Sequence, residues 1–407
     1  MMSGSRVGIW LVGAKGGVAS TAIVGLAALR RGLVGAEGLV TQLPLFQHSG
    51  LAGWDRFVVA GHDIRRASLV DEAMRLVNES RTVLPAVFEQ CRAELEEIDG
   101  RIRPGTIQNV GATIAALADI DLPQNETSRE CIDRLGADMG AFVREEGLSH
   151  LVVVNVASTE PPVDASLLPS RWEELEGLLA TQGGQSGTVP LLPASSLYAI
   201  AALEAGHSYI NFTPSLGPAP AAIGELAELR GACYFGCDGK TGETLMKSVL
   251  APMFARRNLS VLSWVGHNIF GNMDGQVLSD PANKRAKIES KDRLVGEVLG
   301  YRPHTLVSIE YLADLGDWKT AWDHVHFAGF LGVPMTLQFT WQGCDSVLAA
   351  PLVLDLARLA ELAHRRGHVG PMPFLASFFK SPYGVSEHRF DRQFQMLEDW
   401  ANQTTKS

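Results

Sequence analysis

Short apolar runs alternate with longer amphipathic stretches over the first 246 residues. The short runs predict strands, and stretches in which apolar side chains recur every three or four positions predict helices. The predicted strands are 7–12, 57–60, 151–156 and 232–236. The predicted helices are 19–29, 65–100, 126–147 and 197–205. Strands that alternate with helices indicate the α/β class, with a doubly wound parallel sheet.

The pattern changes after residue 246, where strands rich in β-branched and aromatic residues are separated by lysine-bearing segments. These strands are predicted at 259–264, 304–311 and 335–341. A long apolar helix is predicted over 346–366, and the segment from Phe374 is expected to return over a site. We therefore predict an α+β domain inserted into the doubly wound domain. The predicted divisions are 1–246, 247–344 and 345–407.

The composition suits a folded protein with more than one domain. The chain has 407 residues, of which 46% are hydrophobic and 20% are charged, and this length exceeds what one simple core accommodates. Its formal net charge of −10 argues against nucleic-acid binding, which needs a basic surface to meet phosphates. An acidic chain can still bind a phosphorylated metabolite through a few well-placed cations.

The five cysteines are scattered and odd in number, which is typical of reduced thiols in a cytoplasmic protein. Cys233 and Cys237 stand four positions apart, but no second pair completes a zinc site, so we predict buried strand cysteines and no metal ligands. The first predicted strand begins close to the N-terminus, which leaves no room for a signal peptide. No apolar run approaches the ~20 residues that span a bilayer, so no membrane association is expected.

A glycine-rich turn follows the first predicted strand. The segment 15–21 is similar to a phosphate loop of partitioning ATPases, but such a loop needs Gly-Lys directly before its Ser/Thr, and Ala19 precedes Ser20 here. The other interpretation is a loosened Rossmann turn, in which Gly13 makes the tight turn and Gly16 and Gly17 let the backbone approach a pyrophosphate. The N-terminus of the helix that follows would stabilise this anion.

The Rossmann interpretation calls for an acidic residue at the end of a second strand to bind the ribose. No residue of this kind is obvious in the sequence. Asp63, which follows the later predicted strand at 57–60, is expected to contact the cofactor instead.

Lysine is scarce and unevenly placed. There are nine lysines against 26 arginines, and seven of the lysines lie between positions 240 and 380. A compact ammonium with a shiftable pKa suits sites that arginine does not. Lys287 and Lys291 are one helical turn apart, so their charges repel unless an anion such as a substrate phosphate lies between them. The alternative interpretation is a solvated basic face.

Four segments place polar or charged residues beside turn-forming residues, as is common in active sites. They are 268–275, 316–319, 343–346 and 379–382. The first of them follows a predicted strand and is expected to form a loop, because Asn, Gly and Asp favour turns.

The order and spacing of these segments resemble the myo-inositol-phosphate synthase family. In that family a Gly-Asn-Asn-Asp-Gly loop precedes two lysines, and Gly-Asp-Ser-Lys, Glu-Asp-Ser and Phe-Lys-Ala-Pro segments follow. The similar segments here are 271–275, 287–291, 316–319, 344–346 and 379–382. Upstream, 63–64, 157–160 and 209–214 are similar to the family's Asp-Ile-Ser/Asn, Ala-Asn-Thr-Glu and Tyr-Leu-Asn-Gly-Ser-Pro segments. The similarity covers nearly the whole chain.

The resemblance implies NAD as cofactor and a cyclisation of glucose 6-phosphate to inositol phosphate without net oxidation. In the implied reaction NAD takes a hydride from C5, an enolate at C6 attacks the C1 aldehyde, and the hydride is then returned. Preorganised cations are expected where negative charge develops on oxygen. Met273, Ser158 and 215–217 depart from the family pattern, as does the glycine turn, and these departures leave the substrate open.

The resemblance also assigns roles. Lys287 and Lys319 would assist redox and enolisation at C5, and Lys380 would stabilise the C1 aldehyde oxygen. The implied catalytic set is Lys287, Lys319, Lys380, Asp238 and Asp345. The implied substrate-binding set, mainly for the phosphate, is Lys291, Asn272, Asn268, Thr241 and Gly242. The implied cofactor-binding set is Gly13, Ala14, Lys15, Gly16, Gly17, Val18, Asp63, Ile64, Ala157, Thr159, Asp238, Lys240, Asp345 and Ser346.

Other functions stay open at this point. The chain could cyclise another phosphorylated sugar, such as fructose 6-phosphate, or be an NAD-binding regulatory protein without catalysis. The lysines with implied catalytic and phosphate-binding roles argue against a regulatory protein, because a protein without catalysis does not need them. An ordinary dehydrogenase would differ by accumulating NADH. The resemblance further implies a homotetramer built through the inserted domain, which would also carry catalytic residues.

Overall fold

The computed structural model describes residues 5–123, 125–181, 192–272, 275 and 295–403. Its strands are β1 (Arg6–Val12), β2 (Phe57–Asp63), β3 (Ile102–Pro104), β4 (Leu148–Asn155), β5 (Ser208–Asn211), β6 (Cys233–Gly236), β7 (Ser260–Phe270), β8 (His304–Tyr311), β9 (Trp318–Ala328), β10 (Pro334–Cys344) and β11 (Gly370–Pro371). Its helices are α1 (Gly17–Arg30), α2 (Leu69–Asn78), α3 (Pro85–Asp99), α4 (Ala112–Ala115), α5 (Ser128–Glu145), α6 (Trp172–Thr181), α7 (Ala194–Glu204), α8 (Ala221–Arg230), α9 (Gly242–Arg256), α10 (Asp345–Arg365) and α11 (Phe390–Gln403).

Seven parallel strands form the first sheet, in the order β11-β6-β5-β4-β1-β2-β3. This is the 3-2-1-4-5-6 order of the Rossmann fold, with β11 added at one edge. The predicted α/β class with a doubly wound parallel sheet is therefore confirmed. The strand order reverses between β1 and β4, and sheets of this kind bind ligands beyond the carboxyl ends of the strands at that point.

Apolar helices cover both faces of this sheet. Side chains alternate along β1, so that Ile9 and Leu11 pack against α1 and α10, whereas Trp10 packs against α5 and α7 on the other face. Full burial of each such side chain contributes about 1.5–3 kcal/mol. The position of α1 under β1 in turn directs the N-terminus of this helix toward the carboxyl edge of the sheet.

The second sheet is mixed and has the order β10-β9-β7-β8. Strands β7 and β8 are parallel, and β9 is antiparallel to both β7 and β10. Helix α9 packs on this sheet through Phe254, which contacts Trp264 and Phe327. The chain then returns through α10 and adds β11 to the first sheet, as the predicted insertion requires. The boundaries at 246 and 345 stay a prediction.

Several local predictions are wrong. Strand β7 continues to Phe270, so Asn268 is a strand residue and not part of a loop. Strand β9 is absent from the prediction, and Cys237 lies just beyond β6 and is only partly buried. Polar residues at inward-facing positions explain the errors in the strands, because Asn268 and Asp323 are both fully buried. A periodicity of apolar residues does not reveal a strand that turns polar side chains inward.

Gly13 links the first sheet to the candidate site, and we predict that alanine is not tolerated there. Its φ is +81°, and a Cβ would lie 2.8 Å from the Cα of Ala157. Because strain of this kind costs about 1 to 3 kcal/mol, Gly13→Ala should lower the free energy of unfolding by at least that amount in urea titrations. Gly25 in α1 has no atom within 4 Å of its Cβ position, so Gly25→Ala should instead raise it by about 0.5 to 1 kcal/mol. Equal effects of the two substitutions would contradict the geometry of the turn.

Candidate functional site

A cavity of about 510 Å³ opens beyond the carboxyl ends of β1 and β4 and extends to the second sheet. Most of the described residues that we predicted as site residues line this cavity. Those that line it are Gly13, Gly16, Gly17, Val18, Asp63, Ile64, Ala157, Thr159, Asp238, Thr241, Asn272, Lys319, Asp345, Ser346 and Lys380. Residues from distant parts of the chain therefore share one site.

The glycine turn lines the cavity and has the geometry of an anion-binding loop. The backbone N–H groups of Gly13 and Ala14 donate to the carbonyl of His62 at 2.9 and 3.0 Å, which fixes the turn to β2. Gly16 is the N-cap of α1, and the first turn of this helix contains no acidic residue. The positive end of the helix dipole is thus available to a pyrophosphate, as NAD binding requires.

Asp63 is the last residue of β2, next to β1. The expectation that no acidic residue ends a second strand is therefore wrong, because the strand extends three residues beyond the apolar run that predicted it. The carboxylate accepts backbone hydrogen bonds from Lys15 at 2.7 Å, Ile64 at 2.8 Å and Arg65 at 2.9 Å. Asp63 thereby holds the glycine turn against β2 while it also lines the cavity.

Of the residues in the predicted sets that the structure describes, five do not line the cavity: Ala14, Lys15, Lys240, Gly242 and Asn268. Ala14 is in the apolar core, and the Nζ of Lys15 lies 3.6 Å from the carboxylate of Asp99. Gly242 is the first residue of α9 and has a φ of +54°, so it shapes the backbone beside the cavity.

The cavity wall also carries two lysines, each beside a carboxylate. The Nζ of Lys380 donates to the Oδ1 of Asp238 at 2.8 Å. The Nζ of Lys319 lies 3.6 Å from the Oδ2 of Asp345 and 5.2 Å from the centre of the Phe270 ring. Both ammonium groups are mostly buried, which strengthens their interaction with any anion that enters.

Asp317 joins three parts of the cavity wall. Its carboxylate accepts from the Nδ2 of Asn272 at 3.3 Å, the Sγ of Cys344 at 2.8 Å and the backbone N–H of Ser346 at 3.2 Å. It therefore fixes the end of β7, the end of β10 and the start of α10 relative to one another. The sequence assigned no role to Asp317, although it lies within the segment 316–319.

Glu160 is a second cavity residue to which the sequence assigned no role. Burial raises the pKa of its carboxyl group to about 7. The group accepts from the backbone N–H of Ser195 at 2.8 Å and also contacts the Ser195 hydroxyl. Glu160 thus binds the N-terminus of α7 beside the site. Glu160 belongs to the segment 157–160, which is similar to a family motif, so its place in that motif could have identified it as a site residue.

Lys240 lies behind Lys380. Its Nζ contacts the Oε1 of Gln393 in α11, and only 3% of the residue is exposed. Burial, and then the charge of Lys380, lower the pKa of its ammonium to about 7. Lys240 therefore supports the cavity wall instead of contacting a ligand directly.

The lowered pKa of Lys240 predicts a pH-dependent stability. The folded chain releases this proton near pH 7, whereas the unfolded chain retains it up to about the ordinary value of 10.5. The free energy of unfolding should therefore rise between these two values, by at most about 1.4 kcal/mol per pH unit. Unfolding titrations of the parent and of Lys240→Met measure this contribution as the difference in their pH slopes. If the free energy of unfolding changed with pH equally in both proteins, the lowered pKa of the Lys240 amine would be contradicted.

Lys287 and Lys291 lie outside the described residues, as do Met273 and Asp274. Among the residues that are described, no group of three or more His, Cys, Asp or Glu side chains could hold a metal ion. Within the same residues, no helix is both long and apolar enough to cross a bilayer. All five cysteines are described, and they form no disulfide bond.

Comparison with known proteins gives concordant results. Residues 7–402 match an NAD-binding family described as myo-inositol-1-phosphate synthase. The chain is 30% identical over 405 residues to inositol-3-phosphate synthase 1 of Bacteroides thetaiotaomicron, which covers 94% of this chain and 91% of that protein. It is 31% identical over 339 residues to inositol-3-phosphate synthase 1 of Bos taurus, which covers 81% of this chain but 58% of the bovine protein.

Two solved structures share the fold. The inositol-3-phosphate synthase of Caenorhabditis elegans superposes with a TM-score of 0.85 at 24% identity, over 98% of this chain and 86% of that one. A myo-inositol-1-phosphate synthase-related protein from Thermotoga maritima superposes with a TM-score of 0.77 at 24% identity, over 98% of both chains. With the match over residues 7–402, these findings show that the chain belongs to the myo-inositol-1-phosphate synthase family.

Proposed function

We propose that this chain converts glucose 6-phosphate into a myo-inositol phosphate, with NAD reduced and reoxidised within each turnover. The observation that supports this best is a single cavity that joins an NAD-type glycine turn to the ammonium groups of Lys319 and Lys380. An ordinary dehydrogenase has to stabilise charge on the oxygen of one reacting carbon. Cyclisation develops negative charge on two oxygens of the same substrate, for which two separate cations are suited.

NAD, when bound, supplies the acceptance and the return of a hydride. The N-terminus of α1, the glycine turn and Asp63 would hold it, together with Asp238 and Asp345. Once C5 is a ketone, the protons on C6 become acidic, and Lys319 stabilises the charge that grows on the C5 oxygen. We propose that Lys287 assists this enolisation by accepting the C6 proton on its neutral amine.

Ring closure forms the bond between C6 and C1 and places negative charge on the former aldehyde oxygen. Lys380 stabilises this oxygen and donates a proton to it, while Asp238 holds the ammonium in position at 2.8 Å. Because these charges are fixed before the reaction begins, little reorganisation is needed when the charge develops. Asp345 serves Lys319 in the same manner.

The phosphate would bind at the N-terminus of α9. Thr241 is the N-cap of this helix, and both Thr241 and Asn272 line the cavity. Backbone N–H groups at a helix N-terminus bind anions well. We propose that Lys291 and Gly242 complete this phosphate site, and that Asn268, buried in β7, supports it.

We also propose a homotetramer in the cytoplasm, assembled through the second sheet. Apolar side chains on this sheet are exposed, among them Leu262, Leu306 and Trp322. At the hairpin between β9 and β10, Phe330 and Leu331 are 88% and 84% exposed. Exposed apolar patches of this kind mark interaction surfaces. Cysteines without disulfide bonds support a reducing compartment.

Product analysis tests the proposed reaction. The protein is incubated with NAD and glucose 6-phosphate, and products are examined by NMR while NADH absorbance is followed. We expect a cyclic isomer and no net accumulation of NADH. Net NADH would indicate a dehydrogenase, and no conversion would indicate a regulatory protein. A parallel incubation with fructose 6-phosphate tests the alternative substrate, because the departures in the motifs leave room for it.

A further inference from the structure

A cluster of three buried charges lies at the start of α9, with Glu243 in the cavity wall and Lys247 and Asp323 behind it. Lys247 places its Nζ 2.5 Å from the Oε1 of Glu243 and 3.5 Å from the Oδ1 of Asp323. The side chains of the three residues are at most 3% exposed. The Nε1 of Trp264 donates to the same Oδ1 of Asp323 at 2.7 Å, which anchors the cluster to the second sheet.

The sheet is shaped to admit this cluster. Gly266 of β7 stands opposite Asp323 of β9. A Cβ at position 266 would lie 2.9 Å from the Oε1 of Glu243 and 3.2 Å from the Nζ of Lys247. A larger residue at this position would displace the ion pair. Despite its burial, Lys247 has a raised pKa, because the charges of Glu243 and Asp323 outweigh the loss of solvation.

Glu243 poses an electrostatic problem for the proposed phosphate site. It lines the cavity and lies in the first turn of α9, beside Thr241 and Thr244. A carboxylate in this turn interacts with the positive end of the helix dipole and repels a phosphate there. The site can accept a phosphate only if the charge of Glu243 is neutralised and its carboxylate is held back. Lys247 is placed to do both, because it lies one helical turn along and behind the cavity wall.

We propose that Lys247 is a positioning residue for phosphate binding, which neutralises and retracts Glu243 so that the N-terminus of α9 can bind the phosphate of the substrate. Asp323 and Trp264 hold Lys247 in place. The inference rests on the proposed function for the identity of the ligand. It assigns Lys247 no contact with substrate.

Four proteins test this role: the parent, Glu243→Gln, Lys247→Met and the double variant. Each is titrated calorimetrically with inorganic phosphate and, separately, with NAD. We expect Lys247→Met to weaken phosphate binding by about tenfold or more, because an uncompensated carboxylate then faces the anion. Glu243→Gln should bind phosphate more tightly than the parent, and the double variant should recover most of the affinity lost by Lys247→Met. NAD affinity should change much less.

Lys247→Met leaves two buried carboxylates without their cation and can fail to fold, which circular dichroism detects. In that case Glu243→Gln alone tests the proposal, because this variant keeps the ion pair between Lys247 and Asp323 and should fold. Phosphate affinity that is unchanged or weaker in Glu243→Gln would overturn the proposal. If phosphate affinities follow the predicted order but the parent forms no cyclic product, the proposed reaction fails and the role of Lys247 stands.

Discussion

Replacing Lys319 by alanine is expected to lower the turnover number for cyclisation by about a hundredfold or more, the usual loss when one preorganised electrostatic donor is removed. Lys319 is a mostly buried cation in the cavity, 3.6 Å from Asp345, and it extends from the start of β9. Its positive charge stabilises the reaction only when negative charge grows on the C5 oxygen, and it contributes less to binding of the substrate. The effect should therefore appear in kcat, measured by NMR of the cyclic product, with a smaller change in KM.

A surface cation provides the matched control. Arg256 is half-exposed and pairs with Asp391 on the exterior, so Arg256→Ala removes a positive charge without touching the cavity. Its kcat should stay within about twofold of the parent value, since surface ion pairs contribute little. A Lys319→Ala protein with near-normal turnover would remove this lysine from the chemistry.

Replacing Lys380 by alanine should cause a second large loss, again about a hundredfold or more in kcat. The variant leaves Asp238 at the cavity with no ammonium within 2.8 Å, where the parent has Lys380. The aldehyde oxygen would then face a carboxylate in place of a cation, so ring closure should slow more than the first hydride transfer. A rapid-mixing experiment at high enzyme concentration should show NADH formed and only slowly reoxidised.

Lys380→Arg separates charge from geometry. The variant retains a positive charge but spreads it over a larger planar group, which does not reproduce a compact ammonium. Turnover should be intermediate between that of the parent and that of Lys380→Ala. Equal turnover in all three proteins would contradict the assignment of Lys380.

The sequence was sufficient to predict those strands and helices in which the buried residues are apolar. The parallel strands β1, β4 and β6 were all expected, because both of their faces are apolar in a sheet that helices cover on two sides. The glycine turn was identified by Gly13, whose positive φ and close approach to Ala157 explain why glycine stands there. These features depend on residues close together in the sequence.

Contacts between distant residues could not be predicted in this way. Lys240 contacts Gln393 of α11, and the Nε1 of Trp318 donates to the backbone carbonyl of Ser80, 238 positions away. No periodicity links these residues. The cluster around Lys247 was not predicted for a related reason, since buried charges on α9 and β9 look like surface residues in a sequence. Lys15 was expected near the cofactor, whereas its side chain turns toward Asp99.

The most direct test is an experimental structure of the chain with NAD and a non-reacting phosphorylated sugar alcohol. We predict that the phosphate lies at the N-terminus of α9, between that helix and the ammonium group of Lys291, with Lys287 near C5 of the sugar. The ammonium groups of Lys319 and Lys380 should face the carbon chain beside the nicotinamide. Lysines 287 and 291 pointing into solvent, with the phosphate bound elsewhere, would contradict the account.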